Sequence, residues 1–359
     1  MDALAHVARV LAVRLGNMGD VVMFSPALRF LRRVMPRARF TLMVSPAGAQ
    51  AAALLPGVDE VLVHRALWQE AGSDLAFDAS REQALIEELR ARQFGAAFLF
   101  TNFLQSPVPA AYACYLAGIP IRVAQSREFG GALLTHWVRP LPDSSHQVDR
   151  NLQLLKAVGI PISGGSATRL GLSIPREAQA RADKLLRECG VRGGFVVIAP
   201  GATCSARRYP LARYIDVAAR LQQTGHGVLV AGGVADQDAG KALVGAVSGT
   251  VSLCGETSLA ELAGLLRRAR LLITNHSGLV HIGEAVGCPM VILSAGTEPE
   301  GQWRPRAAPV RLLRHPTACQ PCYCVMCPYD QECLAIAASD VVAEAMALLG
   351  ETLREVAGG

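Results

Sequence analysis

The residues best suited to chemistry lie in three short loops, Gly16–Asp20, Gly201–Tyr209 and Asn275–His281. Each loop follows a short apolar run of strand length and precedes a helical pattern. Such a turn places the free N–H groups of a helix start at the carboxyl end of a strand, where α/β sheets bind anions. Any one loop alone would also fit a βαβ unit that binds no ligand.

The acid of the first loop, Asp20, has two interpretations. At the start of a helix it would interact favourably with the helix dipole. Projecting from a strand end into a cleft, it could act as a general base. The loop has only Gly16 and Gly19, so it lacks the G-x-G-x-x-G fingerprint of dinucleotide-binding enzymes, and this disfavours an NAD-dependent oxidoreductase.

The other two loops contain cationic and imidazole groups. The guanidinium groups of Arg207 and Arg208 could hold a diphosphate bidentately, or they could form a solvated basic loop. His281 lies in a short apolar helix, where a histidine is more often packed than functional, and Glu284 could lie beside it.

Strand and helix patterns alternate along both halves of the chain, which predicts an α/β protein with doubly wound parallel sheets. The first series runs from a strand at Val7–Arg14 to a helix at His146–Val158, and the second begins with a strand at Phe195–Ala199. The intervening stretch Gly159–Pro175 is rich in Gly, Ser and Pro, which favours a domain boundary there. Within the first series, Ser126–Pro142 is less regular.

We therefore place the first domain at residues 1–170 and the second at residues 171–338. Residues 339–359 form a predicted C-terminal helix, which we expect to pack back on the N-terminal domain. Two such domains imply a cleft between their strand ends, where ligands are expected.

Composition excludes several classes of protein. The chain has 359 residues and is 51% hydrophobic, enough for two sizeable cores, and it has no apolar run of about 18 residues that could form a transmembrane helix. The N-terminus lacks the pattern of a signal peptide, so we expect a cytoplasmic, reduced protein. A net charge of +5 with only 5% aromatic residues suits a nucleotide or an anionic surface and does not indicate nucleic acid.

Five of the ten cysteines are clustered in a C-x2-C-x-C-x2-C-x5-C pattern near the end of the second domain. Thiolates at such spacing can bind Zn²⁺ or iron tetrahedrally, and a disulfide pair or free thiols are the alternatives. We favour a structural metal, with Cys324 as the spare thiol. The predicted ligands are Cys319, Cys322, Cys327 and Cys333.

Four segments of the sequence, taken together and in their order along the chain, resemble glycosyltransferase family 9, the ADP-heptose:lipopolysaccharide heptosyltransferases. The resemblance extends over nearly the whole chain. The matching segments are RLGNMGDVV, PGATCSARRYP, SLAELAGLLRRARLLITNHSGLVHIGEAVGCPMVIL and AGTEPEG. The resemblance implies the GT-B fold, two facing Rossmann-like domains of which the first serves the acceptor. It implies inverting transfer of heptose from ADP-L-glycero-D-manno-heptose in lipopolysaccharide inner-core synthesis, with no cofactor required for catalysis and with peripheral contact to the inner membrane.

The resemblance also implies roles for individual residues. Asp20 would deprotonate the acceptor hydroxyl, Arg207 would bind the donor phosphates, and Gln237 or Asp238 would hold the ribose. Thr203, Ser277, Gly278 and His281 would line the diphosphate and sugar, Thr257 and Leu259 the adenine, and Thr297 and Glu298 the sugar. Asn17, Met18 and Gly19 form the acceptor-side loop. The full donor-binding set is Thr203, Arg207, Arg208, Gln237, Asp238, Thr257, Leu259, His276, Ser277, Gly278, His281, Thr297 and Glu298.

The roles assigned to Asp20 and to the donor-side residues agree with the chemistry of the reaction. An inverting displacement needs a base on one face of the sugar and stabilisation of the departing ADP on the other. The chain departs from the family pattern at three positions. His276 stands where many members have Asp, Leu279 where many have Pro, and Tyr209 where the loop aromatic is Trp. The first departure bears on the identity of the donor sugar and on any Mg²⁺ at that position.

Other functions fit parts of the pattern. The acceptor could be a protein or a small molecule, and heptosyltransferases that act on autotransporter proteins carry an iron-binding cysteine finger. A nucleotide-sugar epimerase shares the fold. A non-catalytic scaffold that binds metal through the cysteine cluster is the alternative outside enzymes.

Overall fold

The computed structural model describes residue 4 and residues 6–69, 75–164, 166–191 and 193–358, with side chains up to residue 351. The chain divides into two compact units, Met1–Gly171 and Leu172–Gly359. This division lies one residue from the boundary expected from the Gly-, Ser- and Pro-rich stretch.

The described residues of the first unit form a sheet of six parallel strands in the order β3-β2-β1-β4-β5-β6. The strands are β1 (Arg9–Arg14), β2 (Arg39–Val44), β3 (Glu60–Val63), β4 (Ala96–Leu99), β5 (Ile121–Gln125) and β6 (His136–Val138). The helices are α1 (Met18–Val22), α2 (Ser25–Val34), α3 (Ala49–Ala52), α4 (Ala79–Ala91), α5 (Val108–Leu116) and α6 (Gln147–Ala157).

The second unit repeats this arrangement, and its described residues form six parallel strands in the order β12-β11-β10-β7-β8-β9. The strands are β7 (Phe195–Ala199), β8 (Gly227–Val230), β9 (Val251–Ser252), β10 (Leu271–Asn275), β11 (Met290–Leu293) and β12 (Val310–Leu313). The helices are α7 (Arg176–Glu188), α8 (Leu211–Gln223), α9 (Gln237–Ala246), α10 (Leu259–Arg268), α11 (Leu279–Val286) and α12 (Ala338–Gly358).

The central strands are apolar because helices cover both faces of each sheet. In β7, β10 and β11 every residue is buried, and β1 has a single exposed residue at its start. Such continuous apolar runs are typical of parallel strands, whose faces both lie in the core.

Each sheet changes winding direction at its centre, between β1 and β4 in the first unit and between β7 and β10 in the second. In open α/β sheets, ligands bind outside the carboxyl ends of the strands at such a switch point. The three loops singled out in the sequence follow β1, β7 and β10. Each therefore leaves a strand that borders a switch point.

The C-terminal helix α12 packs on the second unit, which corrects the expectation that it returns to the N-terminal domain. It lies against α8, β11 and β12. Its apolar side chains Val341, Ala345 and Leu348 are buried in the same core as strands β7, β8, β10 and β11. The helix follows β12 and the cysteine segment in the chain. It packs on the apolar face of the sheet that contains β12.

Three strands escaped the sequence reasoning, His136–Val138, Val251–Ser252 and Val310–Leu313. They lie at sheet edges, are two to four residues long, and are largely half-buried or exposed. The helical pattern after the first loop forms two helices, α1 and α2. Among the described helices, none is both long enough and apolar enough to cross a bilayer.

Candidate active site

The carboxylate of Asp20 lies in the first turn of α1, at the carboxyl end of β1, and is held at both oxygens. Its Oδ1 accepts a hydrogen bond from Arg14 Nη2 at 2.5 Å, and its Oδ2 accepts one from the backbone N–H of Asn17 at 2.9 Å. Each carboxylate oxygen has a second lone pair. The group is therefore fixed in orientation and can still accept a proton from a further donor.

The partner of Asp20, Arg14, is the last residue of β1, and its side chain is fully buried. It also donates to the backbone oxygens of Asp20 and Phe100, at 3.2 and 3.4 Å. Burial lowers the pKa of Arg14, and the charge of Asp20 opposes that shift. Sequence reasoning missed this residue, because an arginine ending an apolar strand gives no sign that it is buried.

The acceptor-side loop contributes its backbone more than its side chains. Asn17 is exposed, Met18 is half-buried and Gly19 is buried inside α1. A Cβ atom added at Gly16 would lie 2.6 Å from Asp20 Oδ2. Glycine at position 16 is thus required by the close approach of the carboxylate.

In the second unit, the side chain of Asn275 joins the two central loops. Its Oδ1 accepts hydrogen bonds from Tyr209 N–H (2.9 Å) and Tyr214 O–H (3.1 Å), and its Nδ2 donates to the backbone oxygens of Pro200 (2.7 Å) and Gly201 (3.2 Å). The buried amide thus has four contacts, two through each of its polar atoms. It fixes the loop after β7 to the end of β10.

Arg207 is brought together with two other predicted donor-site residues. Its Nε donates to Thr297 Oγ1 at 2.9 Å, and its Nη2 lies 2.9 Å from Glu298 Oε1. About a quarter of the Arg207 and Glu298 side chains is exposed, so this cluster is accessible from solvent. Arg208 behaves differently, because it is exposed and binds the backbone oxygen of Ala202 in its own loop.

His276 follows β10 and is neutral at physiological pH. Burial, and to a smaller extent the charge of Arg207, lower its pKa from 6.5 to about 4. Its Nδ1 lies 3.2 Å from Ser294 Oγ. Ser277 and Gly278 are half-buried and lead directly into α11.

The histidine of α11, His281, is buried, and its ring centroid lies 6.5 Å from that of Trp303. Glu284 accepts hydrogen bonds from the backbone N–H groups of Arg306 (2.7 Å) and Ala307 (3.1 Å), and burial raises its pKa. Glu284 therefore holds the loop before β12.

Two acids, Asp236 and Asp238, follow β8 in the chain. Asp236 is the one that lies at the carboxyl ends of the strands. Its Oδ2 accepts a hydrogen bond from Gly233 N–H at 2.9 Å, and a Cβ atom added at Gly201 would lie 2.4 Å from its Oδ1. Asp238, which the sequence suggested for the ribose, has a fully exposed side chain and lies 3.8 Å from Lys241 on the surface of α9. Sequence spacing alone did not distinguish these two positions.

The remaining predicted donor residues lie around the same loops. Gln237 begins α9 and contacts Gly255, and Thr203 is exposed in the loop after β7. Thr257 has a buried hydroxyl with no partner among the described residues. Leu259 is buried in the first turn of α10, and a capping box of hydrogen bonds between Ser258 and Glu261 begins this helix.

The five clustered cysteines line a small cavity of about 30 Å³ together with Ala206, Gly296 and Thr297. The backbone N–H groups of Cys322 and Tyr323 donate to the oxygens of Gly296 (3.1 Å) and Thr297 (2.9 Å), and Ala206 N–H donates to Val325 oxygen (3.1 Å). The cysteine segment is therefore bound to both loops that form the Arg207 cluster.

The thiols do not form the expected metal centre. Across the described ranges, no three His, Cys, Asp or Glu side chains lie where they could hold one metal ion, and the described cysteines are all free thiols. The sulfur of Cys324 instead donates to the Cys322 backbone oxygen at 3.4 Å. The predicted ligands are thiols, which suit a thiophilic metal by their chemistry: Cys319, Cys322, Cys327 and Cys333. Their placement in this structure does not bring three of them around one metal position. Metal binding there stays a prediction.

Comparisons with known proteins identify the family of the chain. The family model of glycosyltransferase family 9 (heptosyltransferase) matches residues 83–332. Lipopolysaccharide heptosyltransferase 2 of Escherichia coli K12 is 25% identical over 304 residues, which cover 81% of this chain and 84% of that protein.

Solved structures show the same fold at lower identity. A glycosyl transferase family 9 protein from Veillonella parvula is 21% identical, with a TM-score of 0.79 over 97% of this chain and 99% of its own. ADP-heptose lipopolysaccharide heptosyltransferase II of Escherichia coli is 22% identical, with a TM-score of 0.74 over 96% and 99%. The predicted GT-B fold is thereby confirmed, and the chain belongs to glycosyltransferase family 9 as an enzyme of glycosyl transfer.

Proposed function

We propose that this enzyme transfers heptose from ADP-heptose to a hydroxyl group of a lipopolysaccharide inner-core precursor, with inversion at the anomeric carbon. The observation that carries the proposal is the carboxylate of Asp20, oriented at both oxygens beside a sheet switch point. The similarity to lipopolysaccharide heptosyltransferase 2 supports heptose as the transferred sugar and lipopolysaccharide as the acceptor class.

On the acceptor side, Asp20 would accept the proton of the attacking hydroxyl. Arg14 compensates the charge of the carboxylate and fixes its orientation, and Asn17 N–H holds the second oxygen. A base fixed in this way does not have to be reoriented when the sugar arrives, which reduces the entropic part of the barrier.

On the donor side, Arg207 would stabilise the diphosphate as ADP leaves. Its guanidinium is paired with Glu298 and Thr297 in the structure, so a bound diphosphate would compete with one carboxylate for this cation. The N–H groups at the start of α11 would add donors without adding charge. We place Asp236, rather than Asp238, near the ribose hydroxyls, because only Asp236 lies at the strand ends.

His276 would contribute a neutral hydrogen-bonding group next to the leaving diphosphate. Because its pKa is about 4, it adds no positive charge at neutral pH. The base and the cation together supply both needs of an inverting displacement, and no step of the proposed reaction uses a metal or another cofactor.

The test is transfer of heptose from ADP-heptose to a lipopolysaccharide precursor, compared between wild type and Asp20→Asn. We expect the variant to lose at least about a hundredfold in kcat, the usual contribution of a general base. It should retain affinity for ADP, since the donor residues belong to the second unit. Asp216→Asn, which removes only an exposed pair with Arg220, is the matched control.

Unchanged turnover in Asp20→Asn would refute the role of the carboxylate. Product analysis without an acceptor separates transfer from epimerisation, because an epimerase would alter the sugar of the donor with no acceptor present. Transfer to a protein or a small hydroxyl compound, but not to the lipopolysaccharide precursor, would correct the acceptor class.

A further inference from the structure

The thiols of the cysteine segment (residues 319–333) take no part in the proposed reaction, yet they face the loops that hold Arg207. All five line one cavity of about 30 Å³, together with Gly296 and Thr297. A cavity of this volume has room for about two waters. It is therefore a gap between the cysteine segment and the donor loops, and it is too small for a sugar or a nucleotide.

These thiols are accessible and lie close to one another. Cys319 is exposed and the other four are half-buried. The sulfur of Cys324 donates to the backbone oxygen of Cys322 at 3.4 Å and is also hydrogen-bonded to the Cys322 thiol. The thiols of Cys319 and Cys327 interact electrostatically with the same sulfur. Accessible thiols with a second thiol beside them are the ones that oxidise reversibly to disulfides.

The cysteine segment is bound to the loop after β11, which contains Thr297. The backbone N–H groups of Cys322 and Tyr323 donate to the oxygens of Gly296 (3.1 Å) and Thr297 (2.9 Å). The hydroxyl of Thr297 in turn accepts a hydrogen bond from Arg207 Nε at 2.9 Å. One hydrogen-bonded residue thus separates the cysteine segment from the guanidinium.

The same segment is also bound to the loop after β7, just before Arg207. The backbone oxygen of Val325 accepts hydrogen bonds from Ala206 N–H at 3.1 Å and from Ser205 Oγ at 3.4 Å. Gln331 Nε2 donates to the backbone oxygen of Ser205 at 2.6 Å. The position of Arg207 therefore depends on the backbone of the cysteine segment from two sides.

Cys324 lies in the chain between the two residues that make these backbone contacts. Tyr323 binds Thr297, and Val325 binds Ala206. A disulfide holds its two sulfurs about 2 Å apart at a fixed dihedral angle, whereas thiols in non-bonded contact lie farther apart. Closing a disulfide at Cys324 would therefore displace the backbone at both connections.

We propose that the cysteine segment is a site of reversible thiol oxidation that controls donor binding, in which Cys324 forms a disulfide with Cys322 or Cys327. The effect on the donor rests on the proposed function, because that function assigns the diphosphate to Arg207. Disulfides at exposed positions are the labile, regulatory kind.

The oxidant in this step is the disulfide of a small thiol. One thiolate of the segment attacks it, so that a mixed disulfide forms and one small thiol is released. A second thiolate of the segment then displaces the other small thiol and closes the protein disulfide. The protein loses two electrons, the small disulfide gains them, and the two protons of the protein thiols end on the two small thiols.

The test compares the full chain after treatment with dithiothreitol and after treatment with glutathione disulfide. The oxidised protein should be lighter by the two hydrogen atoms of the lost thiols, with Cys324 in a cross-linked peptide. By titration calorimetry it should bind ADP at least about tenfold more weakly, equivalent to about 1.4 kcal/mol. Dithiothreitol should restore the affinity.

A variant and a control locate the effect. Reduced Cys324→Ser should bind ADP as the wild type does, and glutathione disulfide should leave its affinity unchanged. Cys189→Ser removes a half-buried thiol that follows α7, outside the cysteine segment, and should lose affinity on oxidation as the wild type does. If Cys324→Ser fails to fold, the oxidised and reduced wild type decide.

Hydrogen exchange at the N–H groups of Cys322, Tyr323 and Ala206 needs no ligand, so it separates this inference from the proposed function. Faster exchange after oxidation, without ADP binding in either state, would contradict the proposed donor site and leave the oxidation site in place. Three results would overturn the inference. They are thiols that form no disulfide even with a chelator present, an oxidised protein with unchanged exchange and ADP affinity, and an equal loss of affinity in Cys324→Ser.

Discussion

The pairing of Arg14 with Asp20 leads to a prediction about stability that does not depend on the substrate. The Arg14 side chain is fully buried and that of Asp20 is 10% exposed, so neither charge is well solvated without the other. Removing one member of a buried pair costs about 3–5 kcal/mol, because the remaining charge is uncompensated. Arg14→Met should therefore destabilise the first unit by about this amount.

Asp20→Asn also leaves the buried charge of Arg14 uncompensated and should cost about 3 kcal/mol, at the lower end of this range because the amide oxygen can still accept the hydrogen bond from Arg14. The double variant should be more stable than the sum of the two single effects indicates, by about 1.5–3 kcal/mol. This excess measures the interaction between the two charges.

The assay is urea unfolding followed by tryptophan fluorescence in a Trp303→Phe background. Trp68 and Trp137 lie in the first unit, so the signal then reports that unit alone. Additivity of the single variants within about 0.5 kcal/mol would refute the reasoning. The surface pair of Glu88 and Arg92, which belongs to the first unit, is the matched control and should couple by less than about 1 kcal/mol.

Three further predictions concern other buried side chains and the cysteines. Asn275→Ala removes four hydrogen bonds and leaves the buried hydroxyl of Tyr214 unpaired, so we expect a loss of about 2–4 kcal/mol in unfolding free energy and weaker ADP binding by calorimetry. The folded-state pKa of His276 is depressed to about 4, so the unfolded chain binds more protons between pH 4 and 6.5. Stability of the second unit should therefore fall as pH is lowered through that range, and His276→Gln should reduce this fall in urea titrations at each pH. The thiols of Cys114 and Cys288, whose pKa values are raised to about 12 by burial, should resist an aromatic disulfide reagent, whereas the cysteine-segment thiols should react, and a bound metal would be detected as protection that a chelator abolishes.

The architecture was largely predictable because it depends on local pattern. Buried parallel strands are continuous apolar runs and the helices between them are amphipathic, so the alternation is visible in sequence. The strand Phe195–Ala199 has the predicted bounds, and the helix Gln147–Ala157 lies one residue inside its prediction at each end. The short edge strands His136–Val138 and Val251–Ser252 were missed, since their half-exposed residues produce no apolar run.

The candidate site was predictable at the level of loops but not of contacts. The sequence placed Asp20 and Arg207 after strands, which follows from local spacing. The role of Arg14 depends on the burial of its side chain, and that of Asn275 on partners that are distant in sequence and are brought close by the sheet. Such long-range contacts cannot be inferred from spacing in one sequence.

The position of α12 determines how far the chain can be shortened from its end. Val341, Ala345, Leu348 and Leu349 are each no more than 3% exposed and fill the face of the sheet that contains β10 and β11. Burial of a Val or Leu side chain stabilises a fold by about 1.5–3 kcal/mol, so these positions together account for a large part of the stability of one domain. Deletion from Ala338 onward would uncover a hydrophobic surface prone to aggregation, and residues 341–349 are thus an integral part of the second unit's core.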